Sequence, residues 1–165
     1  MEKSTMESIL LVRYDNLFRG DEVKAALESM ERMRLISFRE ACVIVNEMKD
    51  KVHAKKQLKL QPLGDVSTNW WMNFMKLMVK LGGPAPQKSL KFLQAVMNET
   101  GLTPSFIESI RENMKPGTSS VFVVADSDQM RLIKDELERY GGSFVTSPID
   151  INRLIRRFTK GKKAA

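Results

Sequence analysis

The sequence predicts an α+β fold of the ferredoxin-like kind, a split βαβ sheet made of two βαβ halves with a helical insertion between them. Two observations predict it. Residues 8–45 and residues 120–146 both run from a short apolar strand through an acidic turn and an amphipathic helix to a second strand. Between them, in residues 61–117, apolar side chains recur at helical spacing instead. Two βαβ units side by side, each with a right-handed crossover, form one sheet with helices on one face, and helices on both faces are not expected.

The first half begins with a strand at residues 8–14, a short apolar run that is partly β-branched and typical of a buried strand. Apolar residues then recur every three or four positions from Val23 to Met30, which predicts a helix. Residues 41–45 predict a second buried strand. Residues 52–60 alternate loosely in polarity, which suits a strand paired with it in a hairpin.

The second half repeats this order of elements. Residues 120–125 form an apolar run, Asp126 is placed to cap the helix that follows, and residues 130–140 carry that helix's apolar face. Gly141 and Gly142 end the helix, because glycine adopts the left-handed conformation at little cost. Residues 143–146 predict the last short strand.

The insertion predicts three helices. Residues 70–81 carry the first apolar face, and the Gly-Gly-Pro-Ala-Pro stretch at 82–86 ends it. Residues 90–97 make a second amphipathic face. Pro104 opens a third helix, at the first helical position, where proline is tolerated.

We expect a single domain over residues 1–165, with its core in 8–60 and 118–158, the insertion at 61–117 and a basic tail at 159–165. An apolar content of 42% and a charged content of 28% are ordinary for a globular domain, and one cysteine excludes a disulfide framework and a four-cysteine zinc site.

The polar N-terminus is unlike a signal peptide, and no apolar run reaches the ~18–20 residues of a membrane-spanning helix. A cytoplasmic protein, at most peripheral to a membrane, is therefore expected.

The stretch Phe106–Val124, with its Lys-Pro-Gly-Thr-Ser turn at 115–119, resembles a bacterial and archaeal family of small proteins that are assigned to membranes and known only as a domain of unknown function. The similarity also covers residues 10–14, 21–35 and 41–52 and the strand after Gly141 and Gly142. Members join strand–helix–strand halves through a glycine-rich hydrophobic hairpin. The resemblance implies the same two halves here, with amphipathic helices in place of the hydrophobic hairpin. The family brings no established catalytic residues.

No residue pattern predicts catalysis, a cofactor or a metal ion. His53 is the only histidine, which excludes multi-histidine metal sites, and it lies in a lysine-rich hairpin arm. Cys42 lies in the middle of an apolar strand, as an inert core thiol would. Asp126 and Asp128 stand at a helix start, where capping explains them better than metal binding or acid–base chemistry. A phosphate-binding glycine loop is also missing, so we expect no enzyme activity.

Residues 70–81 are apolar almost all round the helix, so something must cover one face. Three interpretations remain open: packing over the open face of the sheet, contact with another copy or a protein partner, and interfacial membrane binding with Lys76 and Lys80 reaching outward. The residues that would make a protein or membrane contact are Trp70, Trp71, Phe74, Met75 and Met78.

The basic charge is concentrated at the C-terminal end. The chain has 27 lysines and arginines against 20 acidic residues, a net charge of +7, and no acid follows Asp150. Residues 150–158 predict a short helix with apolar residues on one side and arginines towards the other. The candidate anion contacts are Arg153, Arg156, Arg157, Lys160, Lys162 and Lys163. They suit an anionic membrane or nucleic acid; alternatively, the helix packs on the core and the tail only aids solubility.

These observations predict a non-enzymatic interaction or assembly protein that forms a homo-oligomer or docks on a protein partner through the helical insertion. The alternative is a peripheral protein that binds an anionic membrane or nucleic acid through the basic C-terminal segment. An RNA-binding sheet has weaker support, because Phe122 is the only aromatic residue in the predicted central strands. No small-molecule substrate is identified.

Overall fold

The computed structural model describes residues 7–48, 56–62, 69–82, 90–113 and 115–160, and in them five strands form one antiparallel sheet. The strands are β1 (Glu7–Tyr14), β2 (Glu40–Met48), β3 (Lys56–Pro62), β4 (Thr118–Asp126) and β5 (Ser143–Pro148). The helices are α1 (Arg19–Arg32), α2 (Asn69–Gly82), α3 (Leu90–Thr100), α4 (Pro104–Asn113), α5 (Ser127–Leu137) and α6 (Ile151–Lys160).

The sheet has the order β3-β2-β4-β1-β5, and every pair of neighbours is antiparallel. β4 lies between β1 and β2, the two strands that α1 connects. β1 in turn lies between β4 and β5, which α5 connects. This interleaving of two βαβ units is the ferredoxin-like arrangement, so the predicted fold class is confirmed. β3 adds a fifth strand through its pairing with β2.

The two central strands, β1 and β4, are buried on both faces. Along β1, Ile9 and Leu11 belong to one apolar cluster and Leu10 and Val12 to the other, and none of the four is exposed to solvent. The segment 119–125 of β4 is buried throughout in the same way. A strand covered on both sides is apolar along its whole length, which explains why both strands stand out in the sequence as continuous apolar runs.

On one face of the sheet, α1 and α5 cover a cluster to which Leu27 and Ile133 contribute fully buried side chains. α5 begins where the capping residue was predicted. The Asp126 carboxylate accepts a hydrogen bond from the Gln129 backbone N–H at 2.9 Å and so satisfies one of the free N–H groups of the first turn.

The other face is covered as well, by side chains of α2, α3, α4 and α6. The expectation of helices on one face only is therefore wrong. Central strands with large apolar side chains on both sides would leave Ile9, Leu11 and Phe122 in water if this face were open, and the insertion together with α6 buries them.

Element boundaries differ from the predictions by a few residues. β3 extends to Pro62, so the insertion begins later than residue 61, and α6 continues through residues 159–160, which were assigned to the tail. The predicted hairpin arm at 52–55 and the tail at 161–165 lie outside the described residues. Within the described part of the chain, no helix has the length and apolarity needed to cross a bilayer.

The predicted turn before β5 depends on two glycines with positive backbone φ angles, 76° at Gly141 and 93° at Gly142. The two differ in their surroundings. A Cβ on Gly141 would meet open space, whereas a Cβ on Gly142 would lie 2.6 Å from Cε1 of Tyr14 and 2.9 Å from the backbone oxygen of Arg13. Close approach of the turn to β1 therefore requires glycine at 142 for a second reason, besides its conformation.

Gly142→Ala should lower the free energy of unfolding by roughly 2–4 kcal/mol, because it adds a collision with a buried ring and with backbone to the cost of the positive φ. Gly141→Ala is the matched control, because it carries the strain of a positive φ without the collision, and its loss should be smaller by roughly 1–2 kcal/mol. Urea unfolding of the two variants measures the difference. Equal losses would show that the contact with β1 is unimportant.

Tyr14 is the last residue of β1, and its side chain is buried with 3% of its surface exposed. Its hydroxyl has no hydrogen-bond partner among the described residues. Burial raises the pKa of Tyr14 to about 12, because the ionised phenolate loses its hydration. The folded-state pKa thus lies above the unfolded value of about 10. The contribution of Tyr14 to the free energy of unfolding is therefore complete below the unfolded-state pKa and is lost as the pH rises through the folded-state pKa.

Between about pH 10 and pH 12 the wild type should lose on the order of 2 kcal/mol of unfolding free energy from this group, and Tyr14→Phe should lack this part of the loss. At pH 7, Tyr14→Phe should be as stable as the wild type or more so, because it removes a buried hydroxyl that makes no hydrogen bond. Chemical denaturation across the pH range tests both statements. A clear loss of stability at pH 7 would mean that the hydroxyl is bonded in solution.

Candidate functional site

The five residues predicted to make a protein or membrane contact lie along α2, and the structure buries all of them. Their exposed fractions are 5% for Trp70 and 0% for Trp71, Phe74, Met75 and Met78. The helix forms because its apolar residues recur at three- and four-residue spacing over residues 70–81, and the same spacing aligns them on the side that faces the sheet.

The contacts of these side chains are those of a protein core. They belong to one cluster with Ile9, Cys42 and Phe122 of the three inner strands. The indole N–H of Trp71 donates a hydrogen bond to the backbone oxygen of Ala41 at 3.3 Å. A buried indole with a hydrogen-bond partner is a settled core group, and it fixes the start of α2 against β2.

This packing corrects the assignment of the five side chains to a contact surface. Of the three interpretations, the structure agrees with packing over the open face of the sheet. Truncating a buried tryptophan, phenylalanine or methionine costs ~2–5 kcal/mol, so exposing these five side chains to a partner would cost a large share of the stability of the fold. Lys76 is exposed, and the side chain of Lys80 lies outside what the structure describes.

α6 carries the second set of candidate residues, and its apolar side is attached to the core. The Asp150 carboxylate accepts a hydrogen bond from the Arg153 backbone N–H at 3.1 Å, as a helix cap does. Leu154 is fully buried, and the Phe158 ring packs edge-on against Phe74 with 5.4 Å between ring centroids. The Asn73 amide of α2 donates a hydrogen bond to the Phe158 backbone oxygen at 2.8 Å and so caps the other end of the helix.

The arginines of α6 project from the opposite side. Arg153 donates a hydrogen bond to the Asn98 backbone oxygen at 2.7 Å, and Arg157 donates one to the Glu99 carboxylate at 2.9 Å. Arg156 is exposed and makes no ion pair with another described residue. The three guanidinium groups are thus presented on a fixed helix that contains no acidic residue.

The remaining candidate anion contacts follow α6. Lys160 is the last residue of the helix, and Lys162 and Lys163 lie outside the described residues. Three of the six predicted residues are therefore located on one exposed helix side.

The groups weighed for catalysis have structural partners. Cys42 is buried with no exposed surface, and Asp126 caps α5. Asp128 lies 3.7 Å from the Arg131 guanidinium in an exposed ion pair. His53 lies outside the described residues, and among the residues that the structure does describe no three His, Cys, Asp or Glu side chains are grouped as metal ligands would be.

One ion pair that the sequence does not indicate joins the start of β1 to the start of β2. The Arg39 guanidinium donates two hydrogen bonds to the Glu7 carboxylate, at 2.9 and 3.0 Å. This hydrogen bonding raises the pKa of Arg39 above its usual value. The two residues are 32 positions apart and neither belongs to a motif, so only the fold brings them together.

In the part of the chain that the structure describes, the central strands of the sheet offer no surface for stacking nucleic-acid bases. Phe122 has no exposed surface, because side chains of the insertion and α6 cover its side of the sheet. An RNA-binding sheet needs its central aromatic residues open to bases, so the described fold does not support that interpretation.

No family model matches the chain, and no match to it emerged from the curated proteins or the solved structures. The resemblance suggested by the turn at 115–119 therefore stays a prediction.

Burial of Trp70 and Trp71, the only two tryptophans, predicts a blue-shifted fluorescence emission with weak quenching by acrylamide. Neither property should change when anionic vesicles are added or when the protein is concentrated, because no contact reaches these rings. The spectrum of the urea-unfolded chain is the reference for full exposure. A shift on adding vesicles would place the rings at a contact surface after all.

Proposed function

We propose that the protein is a non-enzymatic, peripheral membrane-binding protein that holds an anionic phospholipid surface through the exposed arginines of α6 and the basic residues that follow them. The observation that carries the proposal is the two-sided construction of α6. Its apolar side is anchored by Leu154 and Phe158, while Arg153, Arg156 and Arg157 face solvent.

A fixed helix suits this role, because its arginines lose little conformational freedom on binding. Each lysine or arginine close to an anionic membrane contributes on the order of 1 kcal/mol, so three supply up to about 3 kcal/mol before the lysines after α6 are counted. The internal partners of Arg153 and Arg157 do not oppose this. Arg153 lies 3.7 Å from the Asp150 carboxylate and Arg157 2.9 Å from that of Glu99, both in exposed ion pairs. Such pairs are worth ~0–1 kcal/mol, and a headgroup phosphate can replace them.

Lipid is favoured over nucleic acid because the exposed positions described in α6 include no aromatic residue. Over residues 151–159, its exposed positions are Asn152, Arg153, Arg156, Arg157 and Thr159, with no aromatic residue on which a base could stack. A charged lipid surface requires only the arginines. The resemblance to proteins assigned to membranes points in the same direction.

Assembly through the five buried side chains of α2 is not part of this proposal, since those side chains are core residues. Three groups weighed for catalysis have structural explanations: Cys42 is buried, Asp126 caps α5 and Asp128 pairs with Arg131.

Substituting Arg153, Arg156 and Arg157 together by Gln should weaken binding to vesicles that contain phosphatidylserine at least tenfold at about 50 mM salt, because three charges near the lipid are removed. Vesicle co-sedimentation measures this, with pure phosphatidylcholine vesicles as the uncharged reference. Wild-type binding should fall steeply as salt is raised.

The matched control substitutes Arg19, Arg131 and Arg139 by Gln. These are exposed arginines too, each in an ion pair with an acid three residues away, and they belong to the α1 and α5 side of the sheet. The control should bind vesicles nearly as the wild type does. Equal losses in the two triple variants would contradict a site on α6, and binding to a DNA duplex without binding to vesicles would replace lipid with nucleic acid as the ligand.

A further inference from the structure

β5 forms one edge of the sheet, and its outer side has no neighbouring strand among the described residues. The strand reads Ser-Phe-Val-Thr-Ser-Pro, and its two large apolar residues are only partly buried. Phe144 packs at the margin of the cluster under α1 and α5, and Val145 at the margin of the cluster on the other face. Both clusters are therefore left incompletely covered along this edge.

The hydrogen-bonding direction along β5 follows from its pairing with β1. The Ile149 backbone N–H donates to the Glu7 backbone oxygen, so Ile149 faces β1. Because successive residues of a strand point their N–H and C=O groups to opposite sides, Val145 also faces β1. Phe144 and Thr146 then direct both of their backbone polar groups to the open edge, as Pro148 does with its carbonyl alone.

The two edges of the sheet differ in protection. β3, at the opposite edge, contains Lys56 and Lys59 in a seven-residue strand, and charged lysines are the usual protection of an edge against pairing. β5 contains no charged residue, and no other described strand covers it. An uncharged edge strand whose outward backbone groups pair with no other described strand is a template for another strand.

We propose that β5 pairs with β5 of a second copy of this chain, antiparallel about a two-fold axis at Val145, so that two sheets join into one of ten strands. Phe144 of each copy then pairs with Thr146 of the other and exchanges two backbone hydrogen bonds with it, four in total. Pro148, which has no N–H to give, falls outside this ladder.

A second copy fits this edge because the rim beside the strand is self-complementary in charge. α5 lines this rim with the basic side chains of Arg131 and Lys134 and the acidic side chains of Asp135 and Glu138. A two-fold axis brings the rims of the two copies together along one seam, where basic and acidic side chains from both can pair.

Six residues per copy place the contact at the small end of specific interfaces, so the dimer should dissociate on dilution. Sedimentation velocity over a range of concentrations should show a monomer–dimer equilibrium with a midpoint at tens of micromolar or below. Thr146→Pro removes an outward N–H and leaves the bonds to β1 intact, and should weaken the dimer by roughly one to two orders of magnitude. Thr146→Val keeps the N–H and should dimerise as the wild type does.

The register is tested by cross-linking. Directly opposed residues of a non-hydrogen-bonded pair have Cα atoms about 4.5 Å apart, within the range that a disulfide spans. Val145→Cys should therefore form a covalent dimer under mild oxidation. Thr146→Cys should not, because a two-residue offset separates its Cα atoms by roughly 8 Å. The native Cys42 is buried and does not interfere.

The proposal is overturned if the wild type stays monomeric at 100 μM or more, or if the Thr146→Pro variant associates as strongly as the wild type. Efficient cross-linking through Thr146→Cys without cross-linking through Val145→Cys would overturn the stated register. These association tests are separate from the vesicle test. The variants at 145 and 146 leave the arginines of α6 unchanged, and the arginine variants leave β5 unchanged.

Discussion

The apolar character of β1 and β4 on both of their faces is the constraint on which the rest of the structure depends. Alternate side chains of Ile9–Val12 in β1 enter two different clusters, and all four are fully buried. A sheet with such strands at its centre is stable in water only if both faces are covered. α1 and α5 come with the βαβ units and cover one face. The other face must be covered by residues from elsewhere in the chain.

The insertion and α6 meet that requirement, which changes the meaning of the most conspicuous sequence feature. A helix with two adjacent tryptophans and three methionines suggests a surface that binds a partner, yet Trp71 and Met75 have no exposed area. The apolar side chains of α2 pack instead on the apolar face of the sheet. Among the polar residues of α2, Lys76 is exposed, and the partly buried Asn73 caps α6.

The elements were predictable to the extent that their causes are local. The cap at Asp126, the proline that opens α4 and the glycine turn at 141–142 each depend on the chemistry of one or two residues, and each is found where expected. The interleaved strand order followed from the handedness of two crossovers. The cover of the second face did not, because no local pattern states what an apolar helix packs against.

The candidate site on α6 also has a part that depends on local sequence and a part that depends on distant contacts. That α6 would expose arginines opposite an apolar side could be predicted, since both follow from helical periodicity. That Arg153 and Arg157 would be held by Asn98 and Glu99 could not, because those contacts join residues more than fifty positions apart. The pairing of Arg39 with Glu7 was hidden for the same reason.

The joint between α6 and α2 has a consequence for local unfolding. Leu154 is inserted into the cluster that α2 closes, the Phe158 ring rests on Phe74, and the Asn73 amide caps the last turn. α6 cannot swing away without exposing part of that cluster and leaving a helix carbonyl without its partner. The two helices therefore belong to one cooperative unit, with a shared opening free energy well above that of a fraying terminus. A helix of ten residues is too short to be stable alone, and these contacts with α2 hold α6 and its arginines in a fixed position on the core.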